Sequence, residues 1–305
     1  MCASFRRSVK AVDGKSDRTG LVLFVLYAVL AGGNAVGVRF SNQELDPFWG
    51  AAFRFGIAAG LMLLMMLFLG HRIPGGRALL GAGLYGLLAF GGAFAFAFYA
   101  LVELEAGFGQ ILLSIVPLVT VLLAAAQRVE RLRTVALLGA FLSFGGVVVM
   151  SGLTGQGSVH LPSILAGIGS AVCFAQASIT IKRFPKSHPI AVNAVGMTVG
   201  ALFLGGLTVV TGNEVVLPRQ ADTWWAFVYM VVVGSIAVFT LYVALLERWD
   251  ASRANYGFVL IPIVTVLVSA WLLDEQITSG LALGGALVLI GVYVGALRQP
   301  TTPRT

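Results

Sequence analysis

Residues 105–151 read EAGFGQILLSIVPLVTVLLAAAQRVERLRTVALLGAFLSFGGVVVMS, and residues 250–296 read DASRANYGFVLIPIVTVLVSAWLLDEQITSGLALGGALVLIGVYVGA. With Pro117 laid on Pro262 the two align without a gap. They match at Ala106/Ala251, Val119/Val264, Thr120/Thr265, Val121/Val266, Leu122/Leu267 and Ala125/Ala270. Further matches follow at Glu130/Glu275, Gly139/Gly284, Leu142/Leu287, Gly146/Gly291, Val147/Val292 and Val149/Val294. Each copy is an apolar run holding one proline, a short polar turn with a glutamate, then a second apolar run. Self-similarity at a long period identifies a chain built from repeated units. This one is built twice.

Composition says what the units are made of. Of the 305 residues 58% are hydrophobic and only 11% charged, against about 25% charged in ordinary soluble domains. Mean hydropathy is +0.92, and apolar stretches long enough to cross a ~30 Å hydrocarbon core recur throughout. The 38 glycines suit transmembrane helices, which use them for close backbone approach. Only Cys2 and Cys173 are present, so no disulfide framework or thiolate metal cluster is expected. The segment before residue 20 is basic and polar (Arg6, Arg7, Lys10, Lys15 and Arg18 beside Asp13 and Asp17) and lacks a signal peptide's apolar core.

Apolar windows predict an all-α membrane protein with ten spans: 20–39, 47–69, 78–101, 106–126, 134–152, 161–181, 190–211, 223–246, 252–273 and 279–297. Transmembrane strands would alternate apolar and polar residues, and these runs do not. Arg72 and Arg77; Arg128, Arg131 and Arg133; Lys182, Arg183 and Lys186; and Arg248 and Arg253 fall in every second loop. With the N-terminal tail and Arg298 and Arg304 they account for 17 of the 20 lysines and arginines. The other loops carry Glu44 and Asp46, Glu103 and Glu105, Glu214, Arg219 and Asp222, and Asp274 and Glu275. The positive-inside rule then places both termini in the cytoplasm.

Five spans per repeat is an odd number, so the second copy enters the membrane inverted. The units are a tail at 1–19, a five-helix repeat at 20–152, an inverted five-helix repeat at 153–298 and a tail at 299–305. The second helix of each half carries a small-residue face, Gly56/Gly60 and Gly196/Gly200. Inverted repeats are characteristic of secondary transporters, with the substrate site near the midplane between the halves.

Pro117 and Pro262 lack an N–H and clash one turn back, with the carbonyls of Leu113 and Phe258, which predicts kinks. They are the candidate hinge or gating residues, a static kink being the alternative. Gln110 and Asn255 sit seven residues before the prolines. With Asn34, Gln176, Tyr99, Tyr242 and Tyr256 they are the candidate substrate-binding residues; the alternative for each is interhelical hydrogen bonding, worth ~0.6 kcal/mol on average. Phe94, Phe96, Phe98, Phe108 and Trp271 are candidate apolar walls. Trp49, Trp224, Trp225 and Trp249, near span ends, read as an interfacial belt. Arg54 lies inside span two, where an arginine costs ~2.5–3.5 kcal/mol on insertion scales. It either snorkels or pairs with carbonyls, water or an anion, and it joins the substrate-binding set. Arg39 lies nearer the edge.

No Asp or Glu falls at mid-span, and His71, His160 and His188 are all in loops. No metallopeptidase, P-loop or nucleophile-elbow motif occurs in a credible context. The expectation is therefore a non-enzyme, with no cofactor, no metal and no nucleic-acid partner.

Several segments together resemble the drug/metabolite transporter superfamily, in particular its EamA-type permeases. These are Ala31 to Asn34 through Arg39, Pro47-Phe-Trp with Arg54-Phe55, Phe98-Tyr-Ala-Leu101, Ser114-Ile-Val-Pro117, Glu130-Arg-Leu, and Gly139 with Gly145-Gly-Val147. In the second repeat they are Ala251-Ser-Arg-Ala254, Pro262, Asp274-Glu275, and Gly284 with Gly291-Val292. The likeness spans about residues 20–297. It implies a ten-helix inner-membrane carrier with cytoplasmic termini, a cavity lined by helices one, three, four, six, eight and nine, and export of amino acids, related metabolites or toxic compounds. Where the family often has tryptophan-glycine in helix one, this chain has Gly32-Gly33.

The leading expectation is a secondary transporter exporting amino acids or related small metabolites by alternating access. A multidrug or toxic-compound efflux permease, and a non-transporting scaffold or lipid-binding protein, stand as alternatives. The partners are a small-molecule substrate and the lipid bilayer; whether the chain forms a homodimer stays open.

Overall fold

The computed structural model describes residues 17–103, 112–150, 161–273 and 279–297. These are helical apart from short connections, with no strand among them. The helices are α1 (Arg18–Gly32), α2 (Asn34–Ser41), α3 (Pro47–Phe68), α4 (Gly76–Gly86), α5 (Ala93–Glu103), α6 (Val116–Ala126) and α7 (Thr134–Met150). The second half gives α8 (Leu161–Arg183), α9 (Pro189–Thr211), α10 (Ala221–Val231), α11 (Val238–Arg248), α12 (Ala251–Ala254), α13 (Gly257–Leu273) and α14 (Ser279–Val292). Wide π turns at Leu87–Gly92 and Val232–Ala237 join α4 to α5 and α10 to α11, and a third, Tyr293–Leu297, follows α14.

Five stretches are long and apolar enough to cross a membrane unbroken: α3, Gly76–Ala100, α8, α9 and Ala221–Arg248. The remaining apolar helices are shorter. The first expected span is divided at Gly33, between α1 and α2. A break in hydrocarbon strands carbonyls that must find donors. Here the Tyr229 hydroxyl donates to Leu30 O at 3.0 Å and the Thr265 hydroxyl to Gly32 O at 2.9 Å. Glycine is needed for that approach: a Cβ on Gly33 would lie 2.2 Å from the Tyr229 hydroxyl, and one on Gly32 2.4 Å from Val264 Cγ1. Pro117 starts α6 and does not interrupt it, whereas Pro262 lies inside α13.

The inversion is visible in the packing of α7 on α14, which are repeat-equivalent. A Cβ on Gly139 would meet Gly291 O at 2.7 Å, and one on Gly146 would meet Gly284 O at 2.7 Å. Low numbers on one helix face high numbers on the other, so the two run antiparallel. The Ser143 hydroxyl donates to Val288 O at 3.4 Å near the crossing. The first two π turns are also 145 residues apart, the spacing of Pro117 and Pro262. The duplicated feature is thus a wide turn as well as a proline.

The small-residue faces of α3 and α9 behave differently. Gly196 and Gly200 lie against Gly86, Phe90 and Gly91, while a Cβ on Gly56 or Gly60 would meet nothing within 4 Å. Leu64, Leu67 and Phe68 of α3 and Leu202, Val209 and Val210 of α9 are exposed, which suits a lipid-facing surface.

Gly145 and Gly146 are neighbours with opposite surroundings, the Gly145 side being open. Gly146→Ala is expected to cost about 1–3 kcal/mol through overpacking, and Gly145→Ala to be near neutral. Thermal unfolding in detergent measures both, and equal shifts would contradict the packing.

Candidate functional site

A buried guanidinium needs donors matched to acceptors, and Arg54 finds them across the interface between the halves. It is 4% exposed. Its Nε donates to Ser235 Oγ at 2.8 Å, and its Nη2 to Gly234 O at 3.0 Å and to Asn34 Oδ1 at 3.3 Å. The Asn34 amide nitrogen donates to the same Gly234 carbonyl at 3.3 Å. Gly234 and Ser235 belong to the second π turn, which leaves a carbonyl available for a partner outside the helix. Turns of this kind recur at functional sites. A Cβ on Gly234 would lie 1.8 Å from Asn34 Oδ1, so only glycine lets α2 approach there. Each of these partners is uncharged. The guanidinium also stands 5.1 Å from the Phe55 ring centroid and 5.8 Å from that of Phe94, within cation–π range.

Toward the other end of the interface lies a second polar group, centred on Asn255 between α12 and α13. It is fully buried. Its Oδ1 accepts from the Tyr242 hydroxyl, and its Nδ2 donates to Thr120 Oγ1 at 2.7 Å and to Ser178 Oγ at 3.0 Å. Three helices from both halves, α6, α8 and α11, converge on this one amide. Its hydrogen-bonding capacity is nearly used up.

Aromatic rings connect the two groups. Centroid separations run Phe55–Phe94 4.8 Å, Phe94–Phe174 5.8 Å, Phe174–Phe258 5.0 Å, Phe258–Tyr27 6.4 Å and Tyr27–Tyr242 5.3 Å. Tyr27 is 3% exposed, and its hydroxyl has no hydrogen-bond partner among the described residues. A narrow cleft reaches Arg54 past Phe98 and Met230. A larger, open depression lies away from the rings, between Ala78, Lys182, Lys186 and Glu247.

The remaining sequence candidates scatter. Gln176 pairs with Gln127, whose Nε2 donates to Gln176 Oε1 at 2.6 Å, while Arg183 donates to Gln127 Oε1 at 3.1 Å. The Tyr256 hydroxyl donates to Ala136 O at 2.5 Å, tying α13 to α7. Tyr99 is 49% exposed and stands apart from both polar groups. Gln110 and Phe108 lie outside the described residues. Phe94 and Phe98 line the cleft beside Arg54, whereas Phe96 is 44% exposed. Trp249 is 3% exposed and so is not part of an interfacial belt; it packs at a tilt against Phe24 and donates to Asp17 Oδ2 at 3.2 Å. Trp225, at 72% exposed, does suit a belt. Sequence reasoning passed over Ser235, Thr120, Ser178 and Tyr27. Hydroxyls in apolar runs are too common to stand out, and only their convergence marks them.

One carboxylate at the basic face also joins the halves. Glu130, in the turn after α6, accepts from Ala251 N at 2.6 Å, from Ser252 N at 3.4 Å and from the Ser252 hydroxyl. Burial raises its carboxyl above the ordinary value against the lowering effect of the Ser252 hydroxyl, and Asp250 adds repulsion.

Two antiparallel halves meeting at buried polar groups along an aromatic seam define a membrane carrier by architecture. The chain belongs to the EamA-like transporter family, whose sequence profile matches residues 18–152 and 161–296. It is 27% identical to a probable amino-acid metabolite efflux pump of Escherichia coli (strain K12), over 90% of this chain and 93% of that one. It is 25% identical to the uncharacterized transporter YyaM of Bacillus subtilis (strain 168), over 92% and 94% of the two chains. The uncharacterized inner membrane transporter YedA of Escherichia coli (strain K12) is likewise 25% identical, over 92% and 94%. A protein of known crystal structure shares the fold with a TM-score of 0.78 at 21% identity, over 92% of this chain and 97% of that one.

Arg54→Met would leave the Gly234 carbonyl with fewer donors and is expected to cost about 1–3 kcal/mol. Ser235→Ala removes a single acceptor, so its cost is smaller. Thermal midpoints in detergent give the order, and an Arg54→Met variant as stable as the parent would contradict a structural role for this network.

Proposed function

We propose that this protein is a secondary transporter that exports amino acids or related small metabolites by alternating access, with the basic face cytoplasmic. The observation that carries the reading is the aromatic seam between the halves, bounded by the Arg54 and Asn255 groups and containing the Tyr27 hydroxyl, unpartnered among the described residues. A buried hydroxyl without a partner needs an explanation, and a polar atom of a bound solute supplies one. The rings would hold an apolar side chain, and Arg54 would meet a carboxylate or fix the second π turn beside it. The name of the 27% identical relative adds support for the cargo class. The positive-inside rule supports the orientation, since Arg128, Arg131, Arg133, Lys182, Arg183 and Lys186 share loops of one parity. Pro117 and Pro262 retain the hinge role by their equivalence in the repeats.

The density of rings favours a second cargo class, apolar toxic compounds, over any strongly polar solute. Counterflow of labelled amino acids in proteoliposomes tests the first reading, with labelled apolar cations as the comparison arm. Saturable amino-acid flux supports it; flux of the cations alone transfers the assignment to drug efflux, and no flux of any solute overturns transport by this chain.

Within the amino-acid reading, Tyr27→Phe is expected to raise KM for the cargo severalfold while leaving the thermal midpoint unchanged or higher, because it deletes an unsatisfied buried hydroxyl. An unaltered KM would remove Tyr27 from the site.

A further inference from the structure

The turn between α11 and α12 is held from two sides by carboxylates of other elements. On one side stands Glu130, with its three hydrogen bonds to Ala251 and Ser252. On the other stands Asp17, just ahead of α1. It accepts from Trp249 Nε1 at 3.2 Å and lies 3.7 Å from Arg248, while capping α1 by accepting from Gly20 N at 3.0 Å. Gly20 is shaped to this contact, since a Cβ there would lie 2.2 Å from Trp249 Nε1. Arg253 completes the turn by stacking on the Trp249 ring, 3.6 Å from its centroid. Directly beneath lie Asn255 and its partners Thr120 and Ser178, all buried.

We propose that the 249–253 segment, the turn after α11 with the first residues of α12, is the gate of this face, and that Glu130 and Asp17 are its two latches. The geometry has three consequences for the transport cycle on which the proposal rests. The turn joins α11 to α12, so moving it carries Tyr242 and Asn255 of the second polar group with it. Both latches come from other parts of the chain, Glu130 from the turn after α6 and Asp17 from the start of α1, so release needs no internal unfolding of the turn. The contacts are charge-assisted hydrogen bonds accepted from backbone N–H groups, the Trp249 ring N–H and the Ser252 hydroxyl, strong when dry and readily exchanged for water once the turn lifts. Opening therefore replaces protein acceptors by solvent at the same donors. Glu130 and Asp17 act as positioning residues, touching the gate and not the cargo.

The test reads accessibility and so does not depend on the cargo being known. A Ser178→Cys reporter is placed in a background in which Cys2 and Cys173 are serine. Membrane vesicles are prepared with the basic face outward and treated with a membrane-impermeant, positively charged thiosulfonate. Glu130→Ala is expected to speed reporter modification about tenfold, the factor that corresponds to about 1.4 kcal/mol of lost latch stability. Asp17→Ala should act in the same direction. Glu130→Gln retains an acceptor for the Ala251 N–H and should give a smaller increase. Ser252→Ala leaves Glu130 in place and removes only the hydroxyl contact; it serves as the second variant should Glu130→Ala fail to fold, as judged by gel filtration and thermal midpoint. Modification rates within about twofold of the parent in the folded variants would overturn the gate. Faster modification alongside absent amino-acid flux would keep the gate and reject only the cargo.

Discussion

Hydrocarbon offers no water to a backbone carbonyl that has lost its helical partner, and each such group costs several kcal/mol. This constraint organises the centre of the protein. The break at Gly33 is made tolerable by Tyr229 and Thr265, and the second π turn by Arg54 and Asn34. In both places the donor comes from a distant element, so a local departure from α geometry becomes a tie between parts of the chain. An arginine that is expensive in a lone transmembrane helix is here the fitting partner for a carbonyl that would be expensive without it. Two costly groups offset each other.

The ties are unevenly distributed between the halves. The second π turn meets a guanidinium and an amide; the first packs on Gly196, Gly200 and Phe203. Equivalent positions in the two repeats thus carry unlike chemistry.

Much of the architecture was legible in the sequence because it is written in features that survive duplication. Pro117 and Pro262, Gly139 and Gly284, and Gly146 and Gly291 marked the repeat, and an odd number of spans with alternating loop charge gave the inversion. The antiparallel packing of α7 and α14 agrees. Arg54 announced itself by the cost of its position. What stayed hidden has a common cause: an apolar run reads the same whether it is α or π, so Leu87–Gly92 and Val232–Ala237 left no trace in composition. Asn255 read as a cavity residue because an amide in an apolar span suggests a lining. Its capacity is largely spent on Tyr242, Thr120 and Ser178, a fact only coordinates give. Glu130 stood out as a repeated marker, yet its reach to Ala251 and Ser252 crosses 121 residues of sequence.

The crossing of α7 and α14 at Ser143 and Val288 lies where the two halves map onto each other. When two such units trade shapes, a contact on their common axis is carried into itself. In the alternating-access cycle proposed above, the Gly139, Gly146, Gly284 and Gly291 interface would have no side to favour and would act as an axle: its strength would set how firmly the wheel is mounted, not which way it has turned. Probes fixed there would stay silent through a full cycle, which makes this pair the natural reference frame against which displacement elsewhere in the molecule can be measured.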